Sequence, residues 1–99
     1  MRVRLHPEAR AELRAARRWY YERSSLSATA FAHAVDNAVT GIVGFPTQYP
    51  LANHGTRKVI LQRFPFNIFY LTGESEIVIV AVAHQKRRPG YWSTRVGTS

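Results

Sequence analysis

Two consecutive strands decide the fold, and they lie in residues 66–84, which read FNIFYLTGESEIVIVAVAH. Residues 66–71 predict one strand and residues 76–83 predict the next. The four residues between them include Gly73, which tolerates a positive φ and favours a turn. The second strand is apolar on both faces, as a central strand covered by helices would be. The stretch therefore predicts the middle of a mostly antiparallel sheet.

Two other segments share the two-residue period of strands. Residues 57–63, RKVILQR, form a candidate strand, and Phe64-Pro65 supplies the turn that separates it from residues 66–71. Residues 2–5, RVRL, alternate polar and apolar side chains, as a short half-buried strand does. We expect the first of these strands to begin a three-stranded meander, and residues 2–5 to lie beside the later strands.

Between residues 5 and 57 the apolar residues recur with the period of helices. Pro7 suits a first helical turn because its missing N–H would be unpaired there, and Glu8 and Glu12 place negative charge near the positive end of the helix dipole. An apolar stripe with spacings of four, three and four predicts a helix of about 17 residues. The stripe comprises Ala9, Leu13, Ala16 and Tyr20.

A second helix follows after a short connection. Residues 24–27, SSLS, offer N-cap side chains, and Pro46 and Pro50 end the helical half. The short connection predicts an antiparallel helical hairpin. The second helix buries a stripe of Phe31, Val35, Ala38, Val39 and Ile42, with Phe45 extending it.

The predicted order is β-α-α-β-β-β, an α+β fold with both helices on one face of the sheet. Ninety-nine residues correspond to one domain, residues 1–99, with a core at about residues 3–95. Apolar residues make up 45% of the chain, enough for one modest core.

Charge is the strongest signal in the composition. Fourteen Lys and Arg against six Asp and Glu give a net charge of +8. From residue 51 on, seven cations face two acids, a net +5. Such a surface attracts polyanions, whether nucleic acid, ribosome or an acidic protein segment.

Several function classes receive no support from the residues. The chain has no cysteine, and its scattered histidines have no spacing typical of a metal site. No glycine motif that cradles phosphates occurs, so we expect neither a metal nor a cofactor. The N-terminus lacks the apolar run of a secretory signal, and no run approaches the about 20 residues of a membrane span. We expect a cytoplasmic protein.

The order of elements, together with several local segments, resembles the ParE/RelE toxin superfamily. The segments are Pro7-Glu8-Ala9, Trp19-Tyr20-Tyr21, Pro46, the strand FPFNIFY (residues 64–70) and the ending AVAH (residues 81–84). The likeness is strongest to the ParE-like plasmid stabilisation branch, whose last strand often ends in a histidine, a basic cluster and a Pro-X-Tyr-Trp-like tail. Here that segment is HQKRRPGYW, residues 84–92.

The resemblance implies the toxin half of a type II toxin–antitoxin pair, in a hetero-oligomer with an acidic antitoxin. Two targets are open within the superfamily. ParE-like members inhibit DNA gyrase, whereas RelE-like members enter the ribosome and cut messenger RNA. A third reading is a decayed toxin or another non-toxic module that acts only with its partner.

Cleavage of RNA needs a base, an acid and cations that stabilise the phosphorane. Matching to the RelE pattern places Asn67 and Gln85 where that branch has catalytic arginines, whereas Lys58 matches a lysine position. We therefore favour the gyrase inhibitor over the nuclease. If the protein is a nuclease, the candidate catalytic residues are Lys58, Arg63, His84, Arg87 and Tyr91.

Two binding surfaces are expected. Three consecutive cations followed by aromatic residues are typical of a contact surface, although Tyr91 and Trp92 have the alternative of folding back on the sheet. The expected target-binding residues are Lys86, Arg87, Arg88, Tyr91, Trp92 and Arg95. The expected antitoxin-binding residues are Leu13, Arg17, Trp19, Tyr20 and Arg57.

Overall fold

A computed structural model describes residues 1–97; Thr98 and Ser99, the end of the predicted domain, lie outside the described residues. Its elements follow the predicted order. They are β1 (Arg2–Leu5), α1 (Pro7–Arg23), α2 (Ser25–Gly44), β2 (Arg57–Ile60), β3 (Phe66–Thr72) and β4 (Glu76–His84), with short 3-10 turns at Asn53–Gly55 and Ser93–Arg95.

The helical hairpin is joined by one residue. Helix α1 has the 17 residues that its apolar stripe predicts, and the Nδ1 atom of His6 caps it by accepting the Glu8 N–H at 3.1 Å. Ser24 is extended, donates its N–H to the Tyr20 carbonyl, and accepts the Ser27 N–H on its hydroxyl. Ser24 therefore ends α1 and caps α2, which makes the two helices antiparallel neighbours.

The helices pack on one face of a four-stranded sheet. The strand order is β1-β4-β3-β2, with β4 parallel to β1 and antiparallel to β3. Strand β2 is antiparallel to β3, so the predicted meander is confirmed. The core between helices and sheet is apolar and includes Ala9, Ala16, Phe31, Val35, Ile42, Ile68, Ile77, Ile79 and Val82.

Strand β2 is shorter than predicted. It ends at Ile60, and Arg63 adopts a φ of 72°. A left-handed residue cannot continue the pleated alternation of a strand. Residues 61–65 therefore form the turn into β3. The sequence RKVILQR did not indicate this turn, because its pattern is that of a continuous strand.

A bulge in β4 decides which side chains face the helices. Phe69 lies opposite Ala81 and Tyr70 opposite Ile79, so Val80 has no partner in β3. The extra residue reverses the alternation of side chains beyond it. Ile79 and Val82 therefore both pack in the core beneath the helices, although they are three residues apart.

The second face of β4 is covered by the C-terminal segment, residues 91–96, rather than by a helix. Trp92 is 2% exposed and stacks on Phe69 at 4.6 Å between ring centroids. It packs with Val80, Ala81 and Ala83 in a second apolar cluster. The two helices lie on one face of the sheet, as predicted, and the C-terminal segment buries the other apolar face of β4. Neither helix among residues 1–97 has the length and apolar character needed to cross a membrane.

Candidate functional site at the end of the central strand

The basic residues that follow β4 form an exposed turn. Lys86, Arg87 and Arg88, called here the basic turn, are all exposed. The His84 carbonyl accepts the Arg87 N–H at 3.0 Å, and the Nδ1 atom of His84 accepts the Lys86 N–H at 3.1 Å. His84 therefore fixes the start of the turn. The basic turn forms no ion pair within residues 1–97.

Glu12 ties the C-terminal segment to the edge of β4. Its carboxylate accepts the Val82 N–H at 3.0 Å, the Tyr91 hydroxyl at 2.5 Å, and two guanidinium N–H groups of Arg95, each at 2.9 Å. Arg95 also donates to the Val80 carbonyl at 3.1 Å. Carboxylate and guanidinium are 17% and 13% exposed, so water screens the pair little.

The same cluster shifts two pKa values. Burial raises the pKa of Tyr91, and its hydrogen bond to Glu12 raises it further. Burial lowers the pKa of Arg95, but hydrogen bonding and attraction to Glu12 outweigh this, and the pKa is raised. The cluster thus keeps Tyr91 as a neutral phenol and Arg95 as a charged guanidinium.

Four of the five candidate nuclease residues line one recess of about 310 Å³ on the sheet face opposite the helices. These are Lys58, His84, Arg87 and Tyr91. Arg63 lies apart, in a depression beside α2 with Ala30 and His33. None of the described residues that line the recess carries a carboxylate.

Asn67 and Gln85 also line this recess. The Gln85 side-chain amide donates to the Asn67 carbonyl oxygen at 3.2 Å. The two positions that carry arginines in the RelE pattern are therefore neighbours here, and both hold neutral amides. We call this the amide recess.

The structure divides the expected target-binding residues. Only the basic turn is exposed. Trp92 is buried on the sheet, and Arg95 is bound to Glu12. Tyr91 is half-buried, with the Arg87 guanidinium stacked 3.9 Å from its ring centroid.

The expected antitoxin-binding residues differ in their surroundings. Leu13 and Tyr20 pack against the core, and the Arg57 guanidinium donates to the Tyr49 carbonyl at 2.7 Å. Arg17 is exposed and Trp19 is 49% exposed, with the Arg23 guanidinium 3.5 Å above its ring centroid.

Sequence reasoning missed one feature, an apolar groove of about 420 Å³ between α1 and the end of the sheet. We call it the edge groove. Its walls come from Ala15, Ala16, Trp19 and Tyr20 of α1, Phe66 of β3, Val82 and His84 of β4, and Glu12, Pro65, Arg87 and Tyr91 around them. In the sequence, Trp19 was a weak signal of this groove, because it lies beside the apolar stripe of α1. Glu12 gave no signal of its contact with Arg95, because none of the residues near it in the sequence points to that partner. Among residues 1–97, no group of three or more acidic or histidine side chains is arranged to hold a metal ion.

Comparisons with known proteins agree with this architecture. One solved structure, described as a chromosomal ParDE TA system from P. aeruginosa, superposes with a TM-score of 0.60 at 21% identity, covering 85% of this chain and 95% of that one. At that identity the match shows a shared fold. No curated protein matches the chain. The model of the family described as ParE toxin of type II toxin–antitoxin system, parDE, matches residues 3–89. The chain belongs to the ParE toxin family of type II toxin–antitoxin systems.

Proposed function

We propose that this toxin arrests growth by inhibiting DNA gyrase, and that a cognate acidic antitoxin neutralises it. The amide recess carries the first half of the proposal. A nuclease that cleaves RNA through its 2′-hydroxyl needs cations beside the developing phosphorane charge. Asn67 and Gln85 satisfy each other by a hydrogen bond and bring no charge to the two arginine positions, so the cations that line the recess are Lys58, Arg87 and Arg88.

The state of Tyr91 also argues against nuclease chemistry. Its hydroxyl proton is donated to Glu12, and its pKa is raised. A general base must release its own proton near the working pH. Tyr91 is thus a structural hydrogen-bond donor. Of the candidate nuclease residues in the recess, Lys58, His84 and Arg87 remain.

The basic turn supports a protein or protein–DNA target. Its three cations are exposed and form no ion pair among the described residues, although Arg87 stacks on the Tyr91 ring, so the turn can present positive charge to an acidic surface. Opposite charge accelerates encounter and restricts the choice of partner. The net charge of +8 suits an acidic antitoxin for the same reason.

The first experiment follows DNA and protein synthesis by pulse-labelling after the toxin is induced alone. We expect DNA synthesis to fall first, and co-expression of an acidic cognate antitoxin to restore growth. With purified gyrase, we expect the toxin to inhibit supercoiling. The double variant Lys86→Glu/Arg88→Glu should weaken this inhibition by about 10-fold or more, the size of effect seen when charges that steer association are reversed.

Arg10→Glu/Arg14→Glu is the matched control, because it makes the same change in net charge on the exposed face of α1. Equal loss in both double variants would mean that overall charge, not the basic turn, drives inhibition. If protein synthesis falls first and messenger RNA is cut, the gyrase proposal is wrong and the RelE-like reading replaces it.

A further inference from the structure

The second half of β4 lacks a strand on one side. Strand β1 pairs with β4 only as far as Ile79, and the last bond joins the His6 N–H to the Ile79 carbonyl at 2.8 Å. The chain then turns into α1 at Pro7, whereas β4 continues to His84. Beside residues 80–84 β4 therefore has no neighbouring strand on this side, and we call this unpaired strand position the lane.

The bulge at Val80 decides which backbone groups face this lane. The Gln85 N–H donates to Pro65 on the β3 side at 2.8 Å. On the opposite side, Val82 donates to Glu12 and the Val80 carbonyl accepts from Arg95. Because successive residues of a strand point their N–H and C=O groups in alternate directions, Val82 and His84 point both of theirs into the lane.

Two of these four groups are already used. Glu12 holds the Val82 N–H, and the His84 carbonyl accepts the Arg87 N–H. The Val82 carbonyl and the His84 N–H are left. No side chain among residues 1–97 forms a hydrogen bond with either.

This pair specifies the direction of an added strand. In antiparallel pairing, opposite residues exchange both bonds, so a partner would need the Val82 N–H or the His84 carbonyl. In parallel pairing, one partner residue donates to the Val82 carbonyl and accepts from the His84 N–H. Only a parallel strand, running in the direction of β1, uses the free groups and disturbs none of the others.

The edge groove specifies the side chains. Partner residues level with Val82 and His84 would point to the helix face, where Trp19, Tyr20 and Phe66 line the groove. Two apolar residues separated by one residue fit this arrangement. The C-terminal end of a parallel strand would approach the exposed Arg87, which favours an acidic residue there.

We propose that an extended segment of a protein partner, with the pattern apolar–any–apolar–acidic, adds to β4 as a short parallel strand beside residues 82–84. Main-chain bonds supply affinity and the groove supplies specificity in such strand addition. The proposal rests on the acidic antitoxin proposed above and gives the place, direction and sequence pattern of one of its segments.

The test uses amide hydrogen exchange on the full ¹⁵N-labelled chain. The probes are synthetic hexapeptides, acetyl-Thr-X-Thr-X-Glu-Glu-amide, with Val, Leu, Ile, Phe or Met at each X. At saturation we expect the exchange of the His84 amide to slow by about 10-fold or more, as for a newly hydrogen-bonded strand. N-methylation of the second Thr, which removes the donor to Val82, should abolish binding. The proposal is overturned if no peptide in the set slows His84 exchange, or if reversed peptides do so equally well.

Variants of α1 locate the binding site. Ala15→Gln places a long neutral side chain in the groove, and we expect peptide affinity to fall by about 10-fold. Ala11→Gln, exposed one turn earlier and outside the groove, is the control and should leave affinity unchanged. Equal affinity of the two variants would contradict the site.

Other outcomes separate this inference from the function it rests on. Protection of His84 in the free protein that increases with protein concentration would show a second copy in the lane and overturn the proposal. Antitoxin rescue of growth that survives both Ala15→Gln and loss of peptide binding would refute strand addition alone. Peptide binding without rescue by any antitoxin would refute the proposed function instead.

Discussion

Tyr91 shows how one contact changes the chemistry of a side chain. Its hydroxyl lies 2.5 Å from Glu12, and burial with this bond raises its pKa. An unfolded tyrosine loses its proton near pH 10. Below that pH both states are protonated and the bond contributes fully; above it the unfolded state releases a proton that the folded state keeps, so stability falls with rising pH. The fall ends only when the pH passes the folded pKa.

We therefore expect urea unfolding between pH 8 and about pH 11 to distinguish the unchanged protein from Tyr91→Phe. The stability advantage of the tyrosine should shrink above about pH 10, by at most about 1 kcal/mol per pH unit after allowing for solvent screening. Tyr20 and Tyr70, whose pKa values burial also raises, are present in both proteins and cancel. A constant difference across this range would show that the Glu12 bond does not hold the proton.

At the scale of elements, the C-terminal segment acts as a second cover for the sheet. Trp92 is buried on Phe69, whereas Trp19 is 49% exposed on α1. Removing a buried aromatic side chain costs about 3–5 kcal/mol, because transfer and cavity terms add. Trp92→Ala should lower the free energy of unfolding by this amount in urea denaturation, and Trp92→Phe by less. Trp19→Ala, the matched control, should cost about 1 kcal/mol or less. Similar losses for both tryptophans would contradict the packing of residues 91–96 on β4.

At the scale of the whole molecule, Glu12 joins a helix, a strand edge and the C-terminal segment. A neutral amide at this position removes the carboxylate charge that the Arg95 guanidinium contacts, where the Arg95 side chain is only 13% exposed. We expect Glu12→Gln to cost about 2–3 kcal/mol and to accelerate amide exchange in residues 91–96. Glu22→Gln, exposed on the same helix, should change stability by less than about 0.5 kcal/mol. Unchanged exchange in residues 91–96 would show that Glu12 is not what holds this segment.

Local periodicity predicted most of the architecture. The stripe of α1 and the proline at its start were sufficient for its 17 residues, and the cap at Ser24 marked the hairpin. Such patterns depend on residues two to four positions apart, so they are visible in the sequence itself. The end of β2 could not be predicted in this way, because the left-handed φ of Arg63 is unusual for a residue other than glycine.

The candidate site was only partly predictable. The basic turn could be recognised in the sequence, because its three cations are consecutive. The burial of Trp92 and the ion pair between Arg95 and Glu12 could not be predicted, because each depends on a surface formed by distant parts of the chain. Asn67 and Gln85 were singled out by resemblance, but only the pairing of β3 with β4 brings their side chains within hydrogen-bonding distance.

The sequence by itself determined the order of elements, the apolar faces of both helices and the concentration of charge after β4, since these are properties of neighbouring residues. The tertiary structure alone decided the parallel pairing of β1, the bulge at Val80 and the meeting of Glu12 with Arg95. Glu12 and Arg95 are separated by 83 positions. Their contact and the lane beside Val82 both lie beyond the end of β1, where β4 continues without a neighbouring strand. The sequence does not show this, because it depends on how the two strands are aligned in space.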